Sequence, residues 1–161
     1  MHVRTKGRLA GLAFILVSSL TATAEPLPVV TPSPVSGAVN PEATATLDLF
    51  LLHALKDDAE SGVKVEFQSV SGHREVLWVT SLVRTDVGLV GWVSHAVPAI
   101  GLQADAPVTI PKSAIRDWYV TAQDGRSYGA FTTRAAMDDL PAAYAAMVTE
   151  TLMPNPIPDT W

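Results

Sequence analysis

The side chains with the most chemical potential lie in two short segments on either side of an Asp-Gly turn. Asp117 and Trp118 precede Asp124-Gly125, and Thr132 and Arg134 follow it. The Asp-Gly pair tolerates positive φ and predicts a hairpin, which would bring residues 117–121 opposite roughly 128–132. Asp117 and Arg134 would then lie within reach of a charge-assisted ion pair across the strands.

Two interpretations of this pair remain open from the sequence. In the first, the pair is structural: it fixes the strand register, and Trp118 lies in the core. In the second, the same groups line a shallow ligand cleft with Trp78 or Trp92, since aromatic rings suit either a core or a stacking surface. The candidate cluster for both interpretations is Trp78, Asp117, Trp118, Tyr128, Thr132 and Arg134.

Other kinds of chemistry find little support in the residue types. The chain has no cysteine, which excludes disulfides, thiolate metal sites and cysteine nucleophiles. His53, His73 and His95 have no ligand spacing, so the sequence predicts no metal site. No serine lies in a nucleophile elbow, and no glycine-rich loop between a strand and a helix is suited to phosphate. No cofactor is therefore predicted.

The first 24 residues have the pattern of a secretory signal peptide. Three basic residues within Met1–Arg8 precede an apolar run over Leu9–Leu20, and Ala22-Thr23-Ala24 is a small-residue cleavage site. We therefore predict cleavage after Ala24 and a periplasmic or extracellular protein. An uncleaved membrane anchor is the alternative, although the run is shorter than the ~20 residues that span a bilayer. No later segment is apolar enough to span.

The net charge argues against nucleic acid as a partner. The chain carries 11 Lys plus Arg and 16 Asp plus Glu, and the predicted signal peptide contains basic residues but no acid. Cleavage would therefore make the protein still more acidic, and a surface of that sign repels phosphate backbones and anionic lipids.

The elements that must position the candidate cluster begin with a helix. Residues 25–41 are rich in proline and predict an extended or flexible linker. Asn40-Pro41-Glu42 is a helix start, and Ala43, Leu47 and Phe50 recur at helical spacing on one face. Gly62 is expected to end or follow this helix.

From Val63 onward the hydrophobic period is two, which indicates strands separated by short turns. The predicted strands are Val63–Gln68, Glu75–Thr80, Val87–Val93, Val108–Ile110, Ile115–Thr121 and Ser127–Ala135. Short connections favour antiparallel neighbours, so we predict a meander. Pro141 begins a closing helix to about Leu152, and residues 154–161 are expected to form a flexible tail with Trp161 loose.

Together these elements predict one α+β domain over residues 42–153. An amphipathic N-terminal helix packs on a curved antiparallel sheet of five to six strands, and a short C-terminal helix closes the domain.

Four strand segments carry a family resemblance. They are Val63-Lys64-Val65-Glu66-Phe67, Glu75-Val76-Leu77-Trp78-Val79, Ile115-Arg116-Asp117-Trp118-Tyr119 and Tyr128-Gly129-Ala130-Phe131-Thr132-Thr133-Arg134. In this order, over about Ala43–Ala135, they resemble the YegJ-like bacterial family, DUF2314, a domain of unknown function. The chain departs from the family pattern at Val76, where histidine is frequent, and at Asp105, near a usual glycine. The resemblance implies an architecture and no activity.

Two functional classes follow. The first is an exported, non-catalytic module that binds another envelope component or a small ligand. The second is a metal-independent enzyme that uses Asp117 and Arg134 in a shallow aromatic cleft. An enzyme should show a concave pocket with a desolvated titratable pair, whereas a module should show the two residues bonded to each other beneath a flat surface.

Overall fold

The computed structural model describes residues 32, 39–55, 59–86 and 88–161. These residues form an α+β fold with one antiparallel sheet of six strands and three α-helices. The helices are α1 (Pro41–His53), α2 (Phe131–Ala135) and α3 (Ala142–Glu150). The strands are β1 (Ser61–Gln68), β2 (Arg74–Thr85), β3 (Gly88–Trp92), β4 (Pro107–Ile110), β5 (Ile115–Thr121) and β6 (Ser127–Gly129). The predicted fold class is confirmed.

The start of α1 follows directly from local chemistry. The Asn40 side-chain oxygen accepts hydrogen bonds from the backbone N–H groups of Glu42 and Ala43, at 2.9 and 3.2 Å. Pro41 takes the first helical position, where its missing N–H costs nothing. The helix ends at His53, well before Gly62, which belongs to β1. The expectation that Gly62 ends or follows the helix is therefore wrong.

One face of the sheet packs under α1 and forms the core. Side chains from β1, β2 and β5 alternate into it, as the period of two requires. The largest fully buried apolar side chains are Trp118, Phe50, Phe67, Ile110, Val63, Val65, Val79 and Val93. We call the opposite face of β1, β2 and β5, which carries Lys64, Trp78 and Tyr119, the outer face.

The sheet has strand order β4-β3-β2-β1-β5-β6, which corrects the predicted meander. The first four strands do follow one another, but the chain then returns to pair β5 with β1. A flat sheet would separate β4 from β5 by about 19 Å, at roughly 4.8 Å per strand. Residues 111–114, the only connection, span at most about 17 Å. The sheet must therefore curve.

A bend in β2 allows this curvature. Its first half pairs with β1 and its second half with β3, and the register shifts between Thr80 and Val83. Ser81, inside the shift, has a left-handed φ of 53°. Such a bulge bends a strand and increases its twist. The sequence predicted β2 only as far as Thr80, because the bulge interrupts the alternation.

The last predicted strand, Ser127–Ala135, is wrong beyond Gly129. Ala130 has a left-handed φ of 53°, and α2 begins at the next residue. Thr132 and Arg134 therefore lie on a helix instead of on a strand facing Asp117. The hairpin itself is present, with Tyr119 opposite Gly129 and Thr121 opposite Ser127.

The C-terminal segment 154–161 packs on the domain and is not a free tail. The Pro156 carbonyl accepts a hydrogen bond of 2.7 Å from the Gly129 N–H. The Trp161 ring stacks on His53, with centroids 5.5 Å apart, and lies 5.6 Å from the Trp118 ring. An aromatic ring that contacts the core gains burial, which explains why this segment stays with the domain.

The predicted signal peptide, residues 1–24, lies outside the described residues. Within the predicted linker 25–41, Pro32 is buried and bridges Phe67 on β1, so at this point the segment contacts the sheet. Among the helices that the structure describes, none is both long enough and apolar enough to cross a membrane.

Candidate functional site

Asp117 is completely buried and bonded to four donors. Its Oδ1 accepts from the N–H groups of Trp118 and Phe131, at 2.8 and 3.1 Å. Its Oδ2 accepts from the N–H and the hydroxyl of Thr132, at 2.7 and 2.6 Å. The carboxylate thus satisfies the first free N–H groups of α2 from a neighbouring strand, which is the role of a helix cap. This is why α2 begins where the sequence predicted a strand.

Arg134 does not pair with Asp117, so the predicted ion pair is wrong. Its guanidinium donates to the backbone carbonyls of Gly129, Ser127 and Met153, at 2.7, 3.3 and 2.9 Å. Burial lowers the pKa of the Arg134 guanidinium below its ordinary value, and the nearby Asp117 charge opposes that shift. Arg134 therefore connects α2 to the backbone of β6 and to that of Met153, just before the C-terminal segment.

The structure divides the remaining candidate residues between the two faces of the sheet. Trp118 is fully buried in the core, stacked on Phe50 with centroids 5.1 Å apart. Tyr128 is half-buried on β6 and lines a cavity together with His53 and Trp161, and no other residue of the predicted cluster lines that cavity. Trp78 lies on the outer face. The predicted cluster is therefore not one site, although Asp117 and Thr132 do contact each other.

The outer face has an aromatic and cationic centre that the sequence did not assign. The Trp78 ring meets the Tyr119 ring edge to face, with centroids 5.2 Å apart. The Lys64 ammonium lies 5.4 Å from the centroid of the Trp78 ring, within the range of a cation–π contact. Lys64 is directly opposite Trp78 on β2 and opposite Asp117 on β5. We call Lys64, Trp78 and Tyr119 the outer-face triad.

A hydrogen-bonded chain connects the triad to the buried carboxylate. The Lys64 ammonium donates to the Thr132 hydroxyl at 2.9 Å, and that hydroxyl donates to Asp117 at 2.6 Å. The cap of α2 therefore also positions Lys64. Because a cap is rigid, the ammonium is held in a defined place although its side chain is long and flexible.

A second charged cluster lies beside the triad. The Glu66 carboxylate is 3% exposed and pairs with Arg74 at 3.0 Å and with Arg116. Two guanidinium groups on one buried carboxylate compensate its loss of hydration. These residues keep the region next to Lys64 cationic.

A cavity of about 370 Å³ opens beside this cluster. Its walls are Val39, Asn40, Lys64, Val76, Arg116 and Thr132. A volume of this size is within the range of small-molecule sites. The strand period indicated which residues of β1 point outward, but nothing in the sequence showed that β5 would pair with β1 and bring Arg116 and Thr132 to Lys64.

Tyr119 supplies a testable pH dependence. Burial raises the pKa of the Tyr119 phenol above its ordinary value, and the charge and hydrogen bond of the Glu60 carboxylate add to the shift. The folded protein therefore holds this proton more tightly than the unfolded chain. The stability that this shift contributes is fully present below the pKa of Tyr119 in the unfolded chain, about 10. It is lost as the pH rises through the pKa of Tyr119 in the folded protein.

We therefore expect Tyr119→Phe to lose less stability than the wild type as the pH rises above about 10, measured by urea unfolding. Tyr144→Phe is the matched control, because Tyr144 is 63% exposed, and it should follow the wild type. Parallel pH profiles for the Tyr119→Phe variant and the wild type would contradict the assignment.

Within the described residues, no three His, Asp or Glu side chains come together in a way that could hold a metal ion. His53 stacks on Trp161, His73 contacts Glu75, and His95 lies in an exposed loop beside Ser94. The three histidines are thus in separate parts of the fold.

Comparison with known proteins gives one match. The family model for an uncharacterized protein conserved in bacteria, DUF2314, matches residues 42–147. This agrees with the family expected from the strand segments, and the name YegJ-like remains a resemblance. No curated protein and no solved structure matches the chain.

Proposed function

The chain belongs to the bacterial family DUF2314, and from that premise we propose that it is an exported, non-catalytic binding module of the cell envelope. Its recognition surface is the outer face of the sheet. The partner is an envelope protein or a small ligand. The predicted signal peptide supports the export, and the outer-face triad supports the binding.

One observation carries the proposal: a cation and two aromatic rings remain accessible on a rigid sheet face. Trp78, Tyr119 and Lys64 are each only partly buried, and Val76, the next outward residue on β2, is 41% exposed. Trp and Tyr are among the residues that most often anchor partners, because they bury a large area at low entropic cost, and Lys64 adds a positive charge beside them. Antiparallel sheets often leave one face to solvent, but that face is usually polar and without paired rings.

The alternative enzyme, which uses Asp117 and Arg134, lacks a comparable observation. Neither arrangement expected of these residues is present: they do not pair with each other, and they do not form a desolvated pair in a pocket. All four hydrogen bonds of Asp117 hold backbone or Thr132, and Arg134 holds three carbonyls. A general acid or base must reach the proton that it transfers, and these groups are already occupied.

The test is photo-cross-linking in an exporting bacterial host. A photoreactive phenylalanine analogue replaces Val76, which lies on the outer face and lines the cavity. We expect a covalent adduct from the envelope fraction, and we expect the purified protein to begin at Glu25. The adduct should weaken when Trp78→Ala is added, because the ring supplies contact area.

The control places the same analogue at Tyr144, which is 63% exposed on α3, an element that does not belong to the outer face. It should give no matching adduct. Equal labelling at both positions, or none at Val76, would argue against recognition by the outer face. An intact Met1 terminus in the cytoplasm would argue against export, and one in the membrane would favour an uncleaved anchor.

A further inference from the structure

The described residues that line the cavity beside the outer-face triad include hydrogen-bond donors, and none of them is Asp or Glu. Lys64 forms no ion pair with any described residue, and its ammonium donates one hydrogen bond, to Thr132. An ammonium has three N–H donors, so two remain for another acceptor. Removing a cation from water is costly unless an anion or acceptors replace the hydration.

Asn40 contributes a second donor to the same wall. Its Oδ1 accepts the two N–H groups at the start of α1, which determines the orientation of the amide. The Nδ2 group is therefore the part of this side chain that can meet a ligand in the cavity. An acceptor group that lacks donors of its own, as an ionised carboxylate does, fits both Nδ2 and the ammonium.

The charges beside the cavity favour an anion. Glu66 is paired with Arg74 and Arg116, and Asp117 is bonded to the first N–H groups of α2, so both buried carboxylates have their own donors. Lys64 lines the cavity and forms no ion pair with a described residue. An anionic ligand would compensate this charge.

Part of the cavity wall is apolar. Val39 and Val76 line the cavity beside Thr132, and Val76 is 41% exposed. An aliphatic group on the ligand would cover this surface and gain the free energy of burial. The ligand thus has one charged end and one short apolar end.

We propose that the cavity formed by Asn40, Lys64, Val76 and Arg116 binds a small aliphatic monocarboxylate. The carboxylate lies between the Lys64 ammonium and the Asn40 amide, and the aliphatic end lies on Val76. This inference rests on the proposed function, because it names the ligand class of the outer face.

The experiment is a titration of the isotope-labelled mature chain with isovalerate, followed by the NMR signals of the backbone amides of Val39, Lys64 and Val76 and, where Asn40 is present, of its side-chain amide. We expect a saturable shift with a dissociation constant on the order of 1 mM, as for a ligand with few atoms. Isoamylamine, which has the same aliphatic group and the opposite charge, should cause no saturable shift. Inorganic phosphate should bind at least about tenfold more weakly than isovalerate, because it has no aliphatic group to cover Val76.

Two pairs of variants locate the site. Lys64→Met should weaken isovalerate binding at least about tenfold, whereas Lys112→Met, at an exposed lysine paired with Asp48, should not. Asn40→Asp keeps the oxygen that caps α1 but replaces the amide donor with a negative charge. Asn40→Asp should abolish isovalerate binding. This variant still tests the site if Lys64→Met does not fold. Ala45→Asp adds the same charge at an exposed position of α1 and should bind nearly as the wild type does.

Failure of this inference is distinguishable from failure of the proposed function. Absence of a saturable shift, tighter binding of phosphate, or unchanged binding in Asn40→Asp would each overturn the carboxylate site. The cross-link at Val76 would still test the outer face in that case. A cross-link at Val76 without isovalerate binding would support the binding module and show that its ligand is not a small aliphatic monocarboxylate.

Discussion

Replacing Asp117 with alanine is expected to lower the free energy of unfolding by about 3–5 kcal/mol, because hydrogen bonds to a charged group each contribute about 1.5–3 kcal/mol and are not fully additive. The substitution removes the acceptor for three backbone N–H groups and one hydroxyl. The N–H groups of Trp118 and Phe131 are buried and cannot form hydrogen bonds with water instead. Urea unfolding followed by far-UV circular dichroism gives the measurement.

Two further variants separate the cap from a general effect of charge. Asp124→Ala removes an exposed carboxylate at the tip of the same hairpin, where it pairs with Arg126, and should change stability little. Asp117→Asn keeps one acceptor oxygen but turns an NH₂ group toward the donors of Thr132, so its loss should be large but smaller than that of Asp117→Ala. A stable Asp117→Ala variant would contradict the role of this carboxylate as the cap of α2.

Replacing Gly129 with alanine should destabilise the protein by roughly 2–5 kcal/mol, combining about 1–2 kcal/mol for a left-handed residue with about 1–3 kcal/mol for overpacking. Gly129 has a φ of 71°, and an added Cβ would approach two ring carbons of Trp118 to 2.6 and 2.7 Å as well as its carbonyl oxygen. Trp118 is fully buried and cannot move aside without disturbing Phe50 and Phe131.

Gly125 provides the matched control for this substitution. It has a similar left-handed φ of 85°, but nothing lies within 4 Å of an added Cβ. Gly125→Ala should therefore cost only the backbone part, about 1–2 kcal/mol. Equal midpoints of denaturation for the two variants would show that the contact with Trp118 does not matter.

Local signals predicted those elements whose pattern lies in neighbouring residues. The start of α1 was predictable because Asn40 and Pro41 act on their immediate neighbours. β5 was predicted with its observed bounds, Ile115–Thr121, because it is rich in β-branched and aromatic residues and is followed by the Asp124-Gly125 turn. β2 was predicted short, because the bulge at Ser81 interrupts the alternation and leaves no mark of its own in the residue types.

The candidate site was predicted only in part. Asp117 and Thr132 were both named, and they do contact each other, but as a helix cap and not as members of a cleft. Lys64 was missed, because an outward lysine on a half-buried strand has the ordinary pattern of a solvated residue. The ion pair between Asp117 and Arg134 was wrong, because it assumed that the strand after Asp124-Gly125 continues past Gly129.

The sequence by itself determined the family, the α+β class and the apolar faces, because helical and strand periodicity are properties of neighbouring residues. Only the tertiary structure decided which polar groups meet. The return of β5 to β1 brings Asp117 and Lys64 together although they are far apart in the chain. A buried carboxylate must then find donors, and the nearest are the N–H groups that begin α2. That long-range pairing turned a predicted strand into a helix and placed Lys64 beside an open cavity.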